Sequence, residues 1–159
     1  MEIERRFLAP HPPELPVLRR LLVEQSYLTL LPEVRIRRCR SLGPDAGLLF
    51  DLTIKSQGGL VRQEIIKSLT EEEYAALLPM AGGPPIQKDY TALDLDGLVL
   101  ECSVVDRDLP TRYSYAEIEF PTVEEARAFQ PPDWLGREVT EDASFHMARY
   151  WARTRLRDR

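Results

Sequence analysis

Soft metal ligands are scarce in this chain. Its 159 residues include two cysteines, Cys39 and Cys102, and two histidines, His11 and His146. The cysteines form no C-x-x-C pattern and imply no disulfide framework. Each histidine stands without a nearby Cys or His, which argues against a zinc site and leaves His11 on a loop and His146 on a helix surface. No apolar run approaches the length of a membrane span. The amino terminus carries acids where a secretory signal would be apolar, so a cytoplasmic protein with no membrane partner is expected. The net charge of −5 argues against a nucleic-acid partner. The length suits one domain over residues 1–159 with a real core.

What the chain has instead is alternating charge. Glu2, Glu4 and Arg6 are two apart, opposite Ile3 and Phe7. On a strand such residues share one face, so two carboxylates and a cation line up together. Paired carboxylates on a rigid strand suit a hard divalent cation such as Mg²⁺ or Mn²⁺. A solvated edge strand would show the same pattern. The habit recurs along the chain. Val34-Arg35-Ile36-Arg37 alternates apolar and basic residues, and Asp51, Thr53 and Lys55 oppose Phe50, Leu52 and Ile54. Arg62 and Glu64 oppose Val61 and Ile65. Leu98 to Val105 sets Glu101 and Ser103 against Leu100 and Cys102, and Tyr113, Tyr115, Glu117 and Glu119 oppose Ala116, Ile118 and Phe120. Regular alternation means antiparallel sheet with two unlike faces.

Turn chemistry separates these segments. Gln57-Gly58-Gly59 reads as a hairpin, Leu42 to Gly47 as the loop of another, and Asp94-Leu95-Asp96-Gly97 as an Asp-Gly turn. Four segments read as helices. Pro13 to Gln25 has leucines at helical spacing, and Thr70-Glu71-Glu72-Glu73 is a capping box opening a helix through Leu78. Thr122-Val123-Glu124-Glu125 opens a third through Phe129, and Asp142 to Leu156 is the fourth, basic toward its end.

Helices need apolar surface to pack on, and the apolar strand faces supply it. The charged faces then meet solvent on an open sheet or each other inside a barrel, and the pattern leans toward the barrel. The inward set would be Glu2, Glu4, Arg6, Arg35, Arg37, Lys55, Arg62, Glu64, Glu101, Glu117 and Glu119. Charges of both signs in an empty tunnel are costly to desolvate. Metal plus polyphosphate, a ligand both cationic and polyanionic, would match them.

Seven segments, in order over nearly the whole chain, resemble the CYTH domain, or triphosphate tunnel metalloenzyme family. Glu2-Ile3-Glu4-Arg5-Arg6 is similar to its E-x-E-x-K signature, Arg35-Ile36-Arg37 to its R-x-R strand and Leu52-Thr53-Ile54-Lys55 to its tunnel-lysine strand. Arg62-Gln63-Glu64 resembles the start of R-x-E-x-E, Pro85 to Lys88 a segment with another lysine, and Glu117-Ile118-Glu119 the late E-x-E strand. Trp134 to Thr140 resembles the turn before the C-terminal helix.

The resemblance implies an α+β fold in which an eight-stranded antiparallel β-barrel forms a charged tunnel with helices packed outside. It implies divalent-metal-dependent hydrolysis of inorganic triphosphate or a small organic triphosphate. Glu2, Glu4, Glu117 and Glu119 would hold Mg²⁺ or Mn²⁺; Arg6, Arg35, Arg37, Lys55, Arg62 and Lys88 would hold phosphate oxygens. Glu2, Glu4, Lys55 and Glu119 would be the catalytic set, with Glu64 and Glu101 as further candidates. The chain departs from the pattern at four places: Arg6 replaces a lysine, Ile66 and Ser103 replace acids, and Tyr90 replaces an arginine. These departures leave open a module that binds polyphosphate or nucleotide without turnover. An adenylate cyclase is the third reading.

Overall fold

The computed structural model describes residues 1–44 and 46–156. Asp45, in the expected loop from Leu42 to Gly47, lies outside the described residues. Among the described residues ten strands run in chain order: β1 Glu2–Leu8, β2 Val17–Leu30, β3 Glu33–Ser41, β4 Leu48–Lys55, β5 Val61–Arg62, β6 Glu64–Leu69, β7 Ile86–Leu95, β8 Leu98–Val105, β9 Tyr113–Glu119 and β10 Arg137–Glu138. Three α-helices, α1 Glu71–Leu77, α2 Val123–Ala128 and α3 Met147–Arg155, complete the fold. None is long and apolar enough to cross a membrane.

Every strand pairing is antiparallel, along the path β1-β9-β8-β7-β2-β3-β4-β6. Only Gln63 separates β5 from β6, so the two act as one interrupted strand. β6 pairs with β4, while β5 returns to β1 through Glu2↔Arg62 and Ile3↔Val61. That seam bends the sheet into a nearly closed barrel, which the alternation and the resemblance both anticipate. Short β10 adds to the other end of β1.

The amino-terminal helix expected over Pro13 to Gln25 is instead the front of β2. The leucines there fit a helical spacing, but Leu21, Val23, Gln25 and Tyr27 also alternate. As a strand the segment gains ladders with both β3 and β7, and non-local pairing overrides a weak local preference. The fourth helix begins later than expected, at Met147, after a 3₁₀ turn over Ala143–Phe145 whose Ser144 N–H donates to Asp142 Oδ1 at 3.0 Å.

The local signals elsewhere work as chemistry dictates. Thr70 and Glu73 exchange both bonds of the capping box, at 3.0 and 3.1 Å. Asp96 and Gly97, with φ of 51° and 89°, form the turn between β7 and β8. Gly136, at φ 87°, passes so close to β1 that a Cβ would clash with Leu8 O.

The wall sorts its two faces as expected. Ile3, Phe7, Leu100, Ala116 and Ile118 point outward into a core shared with Phe120, Ala126 of α2 and Leu135. A second core gathers Tyr27, Ile86, Val105 and Tyr115 against Met147, Tyr150 and Trp151 of α3. The helices leave part of the wall uncovered: Ile54 and Ile65, paired across β4 and β6, are 36% and 54% exposed.

Candidate functional site

The barrel encloses a cavity of about 310 Å³. Each candidate from the sequence lines it: Glu2, Glu4, Arg6, Arg35, Arg37, Lys55, Arg62, Glu64, Lys88, Glu101, Glu117 and Glu119. A larger hollow of about 820 Å³ lies elsewhere, between Pro84–Gln87 and the Asp106–Thr111 loop. Its buried charges, Asp106 and Arg155, satisfy each other at 2.7 and 2.8 Å. The barrel interior is therefore where unspent chemistry resides.

Strand period puts these groups inside. Glu2, Glu4 and Arg6 alternate along β1, and the ladder sets Arg6 opposite Glu117 and Glu4 opposite Glu119 on β9. Carboxylate oxygens of Glu2, Glu4 and Glu117 come within 4.8 Å of one another. Glu119 lines the cavity outside this trio. Burial, then the charges of Glu2 and Glu64, raise its pKa.

The trio shares its charge unequally. Burial and the carboxylate of Glu117 push Glu4 well above the usual range. Burial acts the same way on Glu2, but the hydrogen bond with Glu4 and the charge of Lys55 overcome it and hold Glu2 at about 2. Glu117, also opposed by burial, is held well below the usual range by Arg6, 3.0 Å away, and by Glu4. The repulsion among the three carboxylates thus falls on Glu4, which resists ionising beside its neighbours. A divalent cation would relieve that repulsion, and three hard oxygen donors fit Mg²⁺ or Mn²⁺.

Most cations of the tunnel are already matched. Lys55 Nζ lies 3.0 Å from Glu2 and 3.2 Å from Glu64. Arg37 makes a bidentate pair with Asp51 at 2.7 and 3.0 Å, and Arg62 pairs with Glu33 at 2.9 Å. Two cations differ. Arg35 has no ion pair among the described residues, and its buried Nε has no hydrogen-bond partner. Lys88, 7% exposed, donates to the Tyr115 hydroxyl at 3.1 Å instead of to a carboxylate. Burial, followed by the charges of Arg35 and Arg37, drives Lys88 down to about 7. An anion is what this end of the network lacks.

Several lining residues were left out of the inward set. Asp51 and Tyr115 had been placed on the same strand faces as Lys55 and Glu117 but were not counted as lining. Glu33, which precedes Arg35 and Arg37 by the same step of two, was detectable by extending the alternation. Arg19 was hidden by the helical reading of Pro13 to Gln25, and Tyr27, just past that segment, was assigned to no element. His146, taken for a helix-surface residue, caps α3 half-buried, 3.8 Å from Glu33. Burial and then Arg6 lower its pKa to about 4, so it is neutral at pH 7.

The cavity opens at one end. Tyr27, Tyr115 and Met147 are 1%, 2% and 4% exposed at the end that α3 covers. There Arg6 donates to Phe145 O at 2.6 Å. Leu49 and Ile66, which also line the cavity, are 71% and 53% exposed and mark the open mouth.

No family model matches the chain. A curated relative, the inorganic triphosphatase of Nitrosomonas europaea, is 34% identical over 145 residues, 91% of this chain and 92% of the relative. The crystal structure of the inorganic triphosphatase NE1496 superposes with a TM-score of 0.63 at 29% identity, over 94% of this chain and 93% of that one. At 14% identity, the Hippeastrum protein HpAC1 shares the fold alone. It is described as a putative adenylyl cyclase with a dominant triphosphatase activity (TM-score 0.53, 80% and 83% covered).

Proposed function

This chain belongs to the CYTH family of triphosphate tunnel metalloenzymes, and on that premise we propose that it hydrolyses inorganic triphosphate inside the barrel with Mg²⁺ or Mn²⁺. The observation that carries the reading is the pairing of opposites within one cavity. A carboxylate trio fit for a divalent cation lies in the same cavity as two inner cations, Arg35 and Lys88, that have no acid partner among the described residues.

Glu2, Glu4 and Glu117 would hold the metal, with Glu119 beside them. Bound there, it would supply charge neutralisation on phosphate oxygens and a more acidic water. The residues of the chain account for the rest. Arg35 offers a planar guanidinium suited to two phosphate oxygens, and Lys88 offers a point charge. Near its pKa of about 7, Lys88 can serve as an ammonium that holds oxygen or as an amine that accepts a proton. Lys55 and Arg6 fix the orientation of Glu2 and Glu117 and come within reach of a phosphate as those acids turn toward a cation. Burial of these groups strengthens every such interaction, and positioning with charge stabilisation is what phosphoryl transfer asks of a protein.

The test is phosphate release from tripolyphosphate and from a panel of organic triphosphates with each metal, against a Glu4→Gln control. Release from tripolyphosphate that the substitution abolishes is expected. Binding of tripolyphosphate without release would favour the binding module. The tight internal pairing of Arg37 with Asp51 and of Arg62 with Glu33 gives that second reading its support.

A further inference from the structure

At the open mouth, β2 contributes a cation that the alternation of charged strands did not announce. Arg19 lines the cavity and is exposed, with no ion pair among the described residues. It is nonetheless held in place. Its Nη2 donates to the Tyr90 hydroxyl at 3.1 Å, and its guanidinium lies over the Tyr90 ring, 5.5 Å from the centroid. Tyr90 is itself fixed, donating to Glu101 Oε1 at 2.5 Å. The phenol uses its one proton toward Glu101 and a lone pair toward Arg19, so the chain of donors is complete and runs one way. A guanidinium propped by stacking and by a hydrogen bond loses little freedom when it takes a ligand. Its remaining N–H groups have no protein partner among the described residues.

The position is as informative as the posture. The trio and the free cations Arg35 and Lys88 lie inside, while Arg19 stands among the exposed residues of the rim with Leu49 and Ile66. An anion that spans only the inner cations would not meet Arg19; one long enough to reach the rim would. Resting on the triphosphatase reading above, we infer that Arg19 binds the outermost phosphate of an inorganic polyphosphate chain and so selects tripolyphosphate over pyrophosphate. Tyr90 and Glu101 are positioning residues for it.

Calorimetric titration with tripolyphosphate and with pyrophosphate, each with Mn²⁺, tests this on the native protein and on R19A, R19K and Y90F. Arg19 is exposed and R19A is expected to fold, which a thermal melt verifies. R19A is expected to weaken tripolyphosphate binding about tenfold or more, the scale of a hydrogen bond to a charged group, and to leave pyrophosphate binding unchanged. R19K should restore part of the loss. Y90F should fall between native and R19A, and in turnover its effect should appear in KM and not in kcat. Equal losses for both ligands in R19A, or no loss for tripolyphosphate, would overturn the inference while leaving the triphosphatase reading intact. A native protein that does not bind tripolyphosphate would remove both.

Discussion

Lys88 offers the sharpest test of the anion-poor interior. Its pKa of about 7 against the ordinary 10.5 corresponds to roughly 5 kcal/mol set against the charged ammonium. Burial is the main cause, and the like charges of Arg35 and Arg37 add to it. A bound polyphosphate reverses the second cause and compensates the first, so binding must pull a proton onto Lys88. At pH 8 the free amine is about one-tenth protonated, and binding should take up about 0.9 proton per site. Affinity should then fall toward tenfold per pH unit above 7. Calorimetry of tripolyphosphate binding in two buffers of different ionisation enthalpy measures the uptake directly. Lys88→Met removes it while leaving the protons of the ligand itself, so the difference between the two proteins isolates the lysine. The same variant carries a second readout. A lysine depressed in the folded state costs stability below pH 7, and the cost fades as pH rises toward 10.5. K88M should therefore melt higher than the native protein at pH 6, with the gap narrowing by pH 10. Equal proton uptake by native protein and K88M at pH 8 would refute the reasoning, because Lys88 would then be no part of the anion site.

Replacing Glu2 and Glu4 together by Gln should abolish Mn²⁺ binding in a calorimetric titration; unchanged affinity would move the metal away from the trio. Lys55→Ala should weaken tripolyphosphate binding by about 1.5–3 kcal/mol. It should leave Mn²⁺ alone bound no more weakly, since it relieves Glu2 and Glu64 of a competing cation. Outside the tunnel, Asp106→Asn strands Arg155 in a buried place where the carboxylate now takes two N–H donors from Arg155, the Gln87 backbone N–H and the Tyr150 hydroxyl. Breaking one side of such a pair costs about 3–5 kcal/mol, read from urea denaturation. Burial raises the Asp106 pKa, but Arg155 and Tyr150 outweigh it and the net shift is downward. Its contribution is thus present at neutral pH and lost as pH falls through the lowered value, so the gap between native protein and D106N should close in acid.

What the sequence made legible follows from the physics of a strand. Period two is rigid, so one charged residue placed inside fixes its neighbours at steps of two. Glu2, Glu4, Arg6, Arg35, Arg37 and Lys55 could be assigned to one face without knowing what lay opposite. The same logic placed Asp51 and Tyr115 on those faces, and one more step along β3 would have reached Glu33. It leaned toward a barrel over an open sheet without establishing closure, because closure rests on the two-residue seam of β5 against β1, a contact between residues about sixty apart that no local pattern records. Nor could it rank the acids. Glu117 and Glu119 are equivalent by alternation. Only the ladder shows Glu117 beside Arg6 and within reach of Glu2 and Glu4, with Glu119 left to one side. The least legible stretch was β2. Its leucines satisfy two periods at once, and the helical one conceals Arg19 at the mouth. The cation propped on Tyr90 became visible only when the strand was seen between β3 and β7, because the pairing of Leu21 with Tyr90 and of Arg19 with Ala92 brings the guanidinium onto that ring. A side chain that departs from a familiar pattern is therefore best judged with its cross-strand neighbours. At position 90 a phenol supports a guanidinium supplied by the next strand, and the mouth retains a positive charge that position 90 does not itself carry.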